Sequence, residues 1–364
     1  MKAREASSLA RLRLVGQGIQ RRSGSGERAG VVDVVRRLGA LQAQDLPGAK
    51  WSVALRSPGA TLRTVDDALN RGEVVRSWPF RGTLHLVAAE DLGWMLDLTA
   101  TRTITGAATR HRQLGLDSET FERARTVAVG ALEGGRSLTR DALFAEFRSH
   151  GIDTASNRGS HLLWYLSHTK TLCFGPMVGT AQALVLLDEW IGHPRRLSHE
   201  EGVRELALRY FTSHGPASLR DFLWWSNLLV PDAKAGLDAA KGRLESFTVD
   251  GVEYWMPAGA LAEAPVRSTV HLLPGFDEYL LGYTDRSAVL AAEYSERIVP
   301  GGNGMFLPTI VAGGRVVGTW SRKAGAARVT VTPAPFEPLG AEQAAGIARA
   351  AARYCAYLGL TLNS

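Results

Sequence analysis

The sequence predicts an α+β protein in which three helices and a β-hairpin recur as a unit three times, followed by a β-rich region with a terminal helix. Three observations lead there. Apolar residues at helical spacing alternate with paired strand-like runs in the same order along the first 262 of 364 residues. Hydrophobic residues make up 45% and charged residues 21%, a balance that packs a core rather than leaving the chain disordered. Beyond residue 262 the character changes to strand-like runs joined by Gly-Gly turns and closed by an Ala-rich helix. At ~150 residues per domain, this length suits two or three domains.

The second copy shows the unit best. Residues 117–132 read as a helix with Ser118 as its cap, and 137–149 as a second with Leu138, Leu143, Phe144 and Phe147 in an apolar stripe broken by His150-Gly151. Residues 155–168 read as a third. The runs TLCFGP and ALVLLD then form a hairpin around a Gly/Pro-rich turn. Three helices and a hairpin make a winged helix, a variant of the helix-turn-helix. In the third copy, residues 199–213, 216–227 and 231–246 are helical, and FTVDGVEYW turns back at Asp250-Gly251, a type I′ signal. The first copy is more degenerate. SSLARLRLVGQGI, VVDVVRRLGALQAQ and 64–72 are helical, residues 20–29 are a flexible polar loop, and 74–87 form the hairpin. The C-terminal runs RSTVHLLPGFDEYLLGY, MFLPTIVAGGRVVGTWS and ARVTVTPAPF are strand-like, and Gly301-Gly302-Asn303-Gly304 reads as a mobile loop. The implied divisions are 1–115, 116–195 and 196–262 for the three winged-helix units and 263–364 for the C-terminal region.

The net charge is +6 and the pI about 9.5, carried by 36 Arg against 6 Lys. Arginine forks onto phosphates and stacks on bases, which suits nucleic acid; an Arg-rich codon bias gives the same ratio. The basic N-terminal residues Arg11, Arg13, Arg21 and Arg22 read as a solvated face, with attraction of DNA the alternative. With two cysteines, no apolar run of ~20 residues and no apolar segment behind the basic N-terminus, a cytoplasmic protein without a membrane span is expected. The chain has no GxxxxGK[ST], no GxGxxG after a strand, no HExxH, no GxSxG and no paired CxxC, so neither a metal nor a cofactor is expected.

Five segments lie in order: LQAQD at 41–45, RGTLHLV at 81–87, SNRGSHLLWYL at 156–166, GPASLRDFLWWS at 215–226 and LLPGFDEYLLGYTDRS at 272–287. Together they resemble the winged-helix DNA glycosylases of the AlkZ/YcaQ group over residues 8 to 355. The resemblance implies three tandem winged helices in a C-shape with a basic channel. It implies monofunctional excision of alkylated bases, including N7-alkylguanine and crosslinked guanine, with antibiotic self-resistance among the group's roles. The group divides between Gln-x-Gln and Gln-x-Asp members, and Gln42-Ala43-Gln44 places this chain with the former. The implied partner is double-stranded DNA carrying alkylated or crosslinked guanine, met by a monomer.

N7-alkylation makes the purine cationic, so its glycosidic bond is already weakened. The protein must stabilise an oxocarbenium-like sugar and deliver water, work that preorganised dipoles perform. The amides of Gln42 and Gln44 offer acceptor oxygens for that water and for the developing charge. By sequence alone the pair reads first as an ordinary polar end to an amphipathic helix; the family resemblance reverses that reading and implies that it is catalytic. An extended segment puts both on one side, with Leu41 and Ala43 toward the core, whereas a helix would separate them, so helical geometry is expected to relax ahead of Pro47-Gly48. Asp45 is expected to cap the following helix. Lysine scarcity argues for direct water attack over a Schiff base.

Arg81, Thr83 and His85 alternate on the first wing strand as candidates for phosphate or sugar contact; His85 is equally well read as a satisfied half-buried histidine. Asn157, Arg158 and His161 lie on the third helix of the second unit, where winged helices meet DNA. Arg322 and Lys323 follow strand VVGTW, near a DNA-probing hairpin. Asp277, Glu278 and Tyr279 form a polar cluster in an apolar setting, with Tyr279 either stacking on a base or packed in the core. Trp224 and Trp225 point to different faces, at least one inward. The second class of function is a non-catalytic winged-helix DNA-binding regulator, which three tandem units plus Gln-x-Gln argue against.

Overall fold

The computed structural model describes residues 3–20, 29–262 and 269–363. The expected loop at 20–29 therefore falls mostly outside the described residues, as do Arg21 and Arg22. The chain divides into two compact units, one formed by residues 1–65 with 203–364 and the other by 66–202. The helix Leu62–Asn70 carries the chain across that boundary.

The 66–202 unit contains two hairpins that join edge to edge. Its strands run Thr83–Ala88, Val74–Phe80, Leu172–Val178, Ala181–Leu186 and Leu138–Thr139, all antiparallel, with Arg76 opposite Phe174 where the hairpins meet. Against them pack the helices Ser118–Leu132, Arg140–Ser149 and Arg158–His168, their apolar stripes filling one core around Phe121, Leu143, Phe147, Leu162 and Leu166. The helix–helix–helix–hairpin order of this stretch is as the periodicity predicts, with local corrections. Asp117, not Ser118, caps the first helix, accepting the Thr120 amide at 2.8 Å. The second helix starts at Arg140 behind a Thr139 cap, because Leu138–Thr139 is drawn into the sheet. Gly175-Pro176 does not turn the hairpin but sits where the strand register shifts; the turn falls after Val178. The 22-residue helix Leu92–Gln113, which follows the first hairpin, was not foreseen from the sequence.

Gly159 shows how closely this core is packed. A Cβ there would lie 2.6–2.9 Å from the Phe144 ring. Gly159→Ala should therefore cost about 1–3 kcal/mol through forced repacking, read as a lower urea midpoint; a neutral substitution would mean that Phe144 moves aside freely.

In the other unit, the helices His199–His214, Leu219–Ser226 and Val230–Ala240 precede a hairpin of Leu244–Val249 and Val252–Pro257. Asp250 and Gly251 both have positive φ, 49° and 77°, as the type I′ reading requires. Among the described residues, the C-terminal part forms a five-stranded sheet in the order Thr361–Leu362, Arg328–Pro335, Arg315–Ala324, Thr309–Ala312 and Val270–Leu273, with the helix Ala341–Leu358 packed against it. The run 269–283 is not one strand. It leaves the sheet after Leu273, turns at Pro274-Gly275 and forms the buried helix Glu278–Leu281, whose first turn Asp277 caps by accepting the Tyr279 amide at 2.9 Å. The stretch 300–304 forms a tight turn with Gly301, Gly302 and Gly304 at positive φ.

The helix expected to follow Asp45 is Leu46–Arg56. It begins with Pro47 in its first turn, where the absent N–H costs nothing, so Pro47-Gly48 starts this helix. It is anchored to the C-terminal sheet and helix. Trp51 donates its indole N–H to the Leu272 carbonyl at 2.8 Å and meets the Tyr354 ring edge-on at 5.0 Å.

Candidate active site

The helix Val31–Leu38 ends at Gly39, whose φ of 78° breaks the helical path, and the chain then runs extended through Leu41–Gln42 before turning into Leu46–Arg56. Leu41 and Ala43 are buried, while Gln42 is half-buried and Gln44 exposed. The extended geometry and the side-chain partition expected of the Gln-x-Gln segment are both present. Asp45 does occupy the N-cap position of the next helix, but its carboxylate makes no capping bond and lies 3.8 Å from the Arg322 guanidinium. That contact brings the Arg315–Ala324 strand beside the two glutamines; Lys323, its neighbour, is exposed. Lys50, the next lysine after Gln44, is buried.

Beneath the glutamines lies a buried polar network that the sequence signalled only as two acids in an apolar run. Glu278 is 1% exposed. One of its carboxylate oxygens accepts the Gln42 backbone N–H at 3.0 Å; the other accepts the Trp225 indole N–H at 2.9 Å and lies 3.4 Å from His214 Nε2. Burial pushes the His214 pKa down, opposed by its bond to Glu278. Gln17 donates to the Glu278 carbonyl at 2.9 Å. Asp277 is held by Arg56 through two bonds of 2.8 and 2.9 Å and by the Ser52 hydroxyl at 2.7 Å. Four distant stretches thus meet under Gln42. The sequence marked 277–278 and Trp225; Gln17, just past the end of its helix, and His214, at the end of another, carried no signal beyond being polar residues.

One expectation is corrected here and two open readings are decided. Arg13 is not on a solvated face: it is 1% exposed, lies 3.6 Å above the Tyr283 ring and donates to the Pro216 carbonyl at 3.0 Å; Arg11 is exposed. Tyr279 is a core residue whose hydroxyl meets the Ala10 and Gly314 carbonyls. Of the tryptophan pair, Trp225 is buried, and Trp224 lies half-buried 5.5 Å from the Arg286 guanidinium.

In the 66–202 unit, Arg81 stands in the hairpin turn at φ 53° rather than in the strand, which begins at Thr83. His85 is fully buried. Its Nδ1–H donates to the Thr83 carbonyl at 2.9 Å, leaving Nε2 to accept from Arg81 at 3.4 Å. The ring therefore orients Arg81 from within, and the side chains that reach the surface here are those of Arg81 and Thr83. Asn157 is exposed at φ 70° just ahead of the helix Arg158–His168. Arg158 ties that helix start to Asp153 and to the carbonyls of Leu114 and Gly115. His161 packs at 5.3 Å from His111, and burial pushes the pKa of both down.

Two further histidines set a pH response. Burial lowers the pKa of His168 to about 4, and that of His271, in the other unit, to about 4. A neutral imidazole favoured by the fold takes up a proton more readily once unfolded. Stability is thus complete above the unfolded value near 6.5 and is lost as pH falls toward 4. Urea unfolding at pH 7 and at pH 4.5 should show a lower midpoint in acid, with His168→Phe removing part of the difference; an acid midpoint equal to the neutral one would refute this.

A model of the AlkZ-like DNA glycosylase family matches residues 35–357. An interstrand DNA cross-link repair glycosylase of Streptomyces sahachiroi is 28% identical over 301 residues, spanning 79% of this chain and 81% of that relative. The solved structure of the Streptomyces sahachiroi DNA glycosylase AlkZ superposes with a TM-score of 0.78 at 26% identity, covering 98% of both chains. The family match takes in the Gln42–Gln44 segment, the strand beside it and Glu278, Trp225 and His214 beneath it, and the chain belongs to the AlkZ-like DNA glycosylase family.

Proposed function

We propose that this glycosylase hydrolyses the N-glycosidic bond of cationic N7-alkylguanine in duplex DNA, interstrand crosslinks included, with Gln42 and Gln44 as the catalytic residues. The observation that carries the reading is the pair itself: two neutral amides on the outward side of an extended segment whose backbone is pinned from below. The glycosidic electron pair leaves with the purine and cancels its positive charge. The amide oxygens face the oxocarbenium-like sugar and hold the water whose oxygen bonds to C1′, and its proton passes to solvent. No strong acid is needed, because the leaving base is neutral once released. The crosslink substrate follows that of the Streptomyces sahachiroi relative, an interstrand DNA cross-link repair glycosylase.

The same reading takes the three helix–helix–helix–hairpin stretches as winged-helix units and the region from 263 as the fourth part. It takes Arg81, Thr83, Asn157, Arg158, His161, Arg322 and Lys323 as DNA-facing, His85 as acting through Arg81, and the protein as a cytoplasmic monomer without a cofactor. The deciding experiment is release of free base from N7-methylguanine duplex, read by mass spectrometry beside a crosslinked duplex and a uracil duplex. Release from the first two is expected and none from uracil, whose leaving base is not cationic; rapid uracil release would contradict the mechanism. Borohydride should trap no protein–DNA adduct, since the attack is by water; trapping through Lys323, exposed on the strand beside the glutamines, would overturn this.

Binding to undamaged duplex should be weak, indifferent to sequence and steep in salt. Each neutralised phosphate adds about −0.9 to the slope of log K against log salt. A tightly bound operator with a shallow slope would point to a regulator instead.

A further inference from the structure

We propose that Glu278 is the positioning residue of this site, holding Gln42 in register through its backbone N–H; the inference rests on Gln42 being catalytic. The geometry divides the carboxylate between two tasks. One oxygen reaches up to the Gln42 amide nitrogen at 3.0 Å, and the other is locked from below by the Trp225 indole at 2.9 Å with His214 Nε2 at 3.4 Å. The residue's own backbone is fixed from both sides. Gln17 donates to its carbonyl at 2.9 Å, and Asp277 before it is clamped by Arg56 and Ser52. A carboxylate at 1% exposure is costly to bury, and an apolar side chain would fill the space without that cost. What an apolar side chain cannot do is accept two N–H bonds on opposite sides, which is what this place demands. The Gln42 backbone N–H bonds directly to this carboxylate, so where Glu278 is held bears directly on where the Gln42 amide stands. Positioning of that kind is worth much in rate, since a displacement of about 1 Å costs on the order of a hundredfold.

The demand for an acceptor on both oxygens gives the test. In Glu278→Gln the amide has one oxygen and one NH2, so whichever way it turns, either the Gln42 N–H or the Trp225 N–H meets a donor. The single-turnover rate on N7-methylguanine duplex is expected to fall about a hundredfold, the scale of one misplaced catalytic group, while affinity for undamaged duplex holds. Adding Trp225→Phe removes the opposing indole N–H and lets the amide oxygen turn to Gln42, so the double variant should be about tenfold faster than Glu278→Gln alone, a part of the hundredfold lost. A structural defect would instead be compounded by the second substitution. A wild-type rate in folded Glu278→Gln, a double variant no faster than the single, or rate and affinity falling in proportion would each overturn the proposal. Where Glu278→Gln does not fold, Trp225→Phe alone decides. It leaves the carboxylate unlocked, and the rate should fall more than the affinity; an unchanged rate overturns the proposal. Gln42→Ala/Gln44→Ala is measured beside these. If that variant is inactive while Glu278→Gln is fully active, only the positioning role fails; if it is active, the catalytic reading beneath it fails.

Discussion

Alanine in place of both Gln42 and Gln44 should reduce base release by more than either single change, with DNA affinity and the unfolding midpoint nearly untouched. Each single variant is expected to lose roughly 10²–10³ in rate, about 2.7–4 kcal/mol of barrier, the range seen when one preorganised polar group is removed from the place where charge develops. The two losses should not add, because both amides serve one water and one developing cation. Folding should tolerate the change, since Gln44 is exposed, Gln42 half-buried, and the bond from the Gln42 backbone to Glu278 is one that alanine keeps. Single-turnover assays with excess enzyme separate the chemical step from binding. A double variant with full activity would remove the glutamines from the mechanism.

Arg56→Met should be the most destabilising of the substitutions considered, at about 3–5 kcal/mol, because it leaves a buried carboxylate without its cation. Arg56 is 3% and Asp277 4% exposed. The guanidinium also donates to the Ser52 carbonyl and hydroxyl at 3.0 and 2.8 Å, and to Gln17 through its side-chain oxygen at 2.7 Å and its carbonyl at 3.1 Å. With total stabilities of about 5–15 kcal/mol, such a loss is a large fraction of what holds a domain folded. Arg56→Lys keeps the charge but not the planar fork, so it should fall between wild type and Arg56→Met. Urea unfolding followed by tryptophan fluorescence measures both. A midpoint for Arg56→Met within error of wild type would show that Asp277 finds water or another cation. Because Asp277 precedes Glu278, Arg56→Lys should also slow base release, coupling the ion pair to the site.

Periodicity made the repeated order of helices and hairpins legible because each apolar stripe must be buried locally: Leu143 with Phe147, and Leu162 with Leu166, face one core as their spacing requires. It misjudged a segment whose conformation is imposed from outside. The apolar run around Asp277 resembles a strand until Arg56 and the Tyr279 amide claim that carboxylate.

The sequence by itself determined the Gln-x-Gln pair and its extended geometry, because alternation of Leu41 and Ala43 with the two glutamines follows from the period of an extended chain; the family was carried by the resemblance of five ordered motifs. It also determined the cationic character of the chain, through its Arg excess. Only the tertiary structure decided what stands behind the glutamines. It drew Arg13 out of its basic run into the core, and it turned the His85 ring inward to hold Arg81. It joined Gln17, His214, Trp225 and Glu278, more than 250 residues apart at the extremes, into one network beneath Gln42. The physical reason is that a local pattern records which face of an element is buried, whereas the partner of a buried polar group is fixed by long-range packing. The requirement that each such group find a partner is felt only when the whole chain has closed around it.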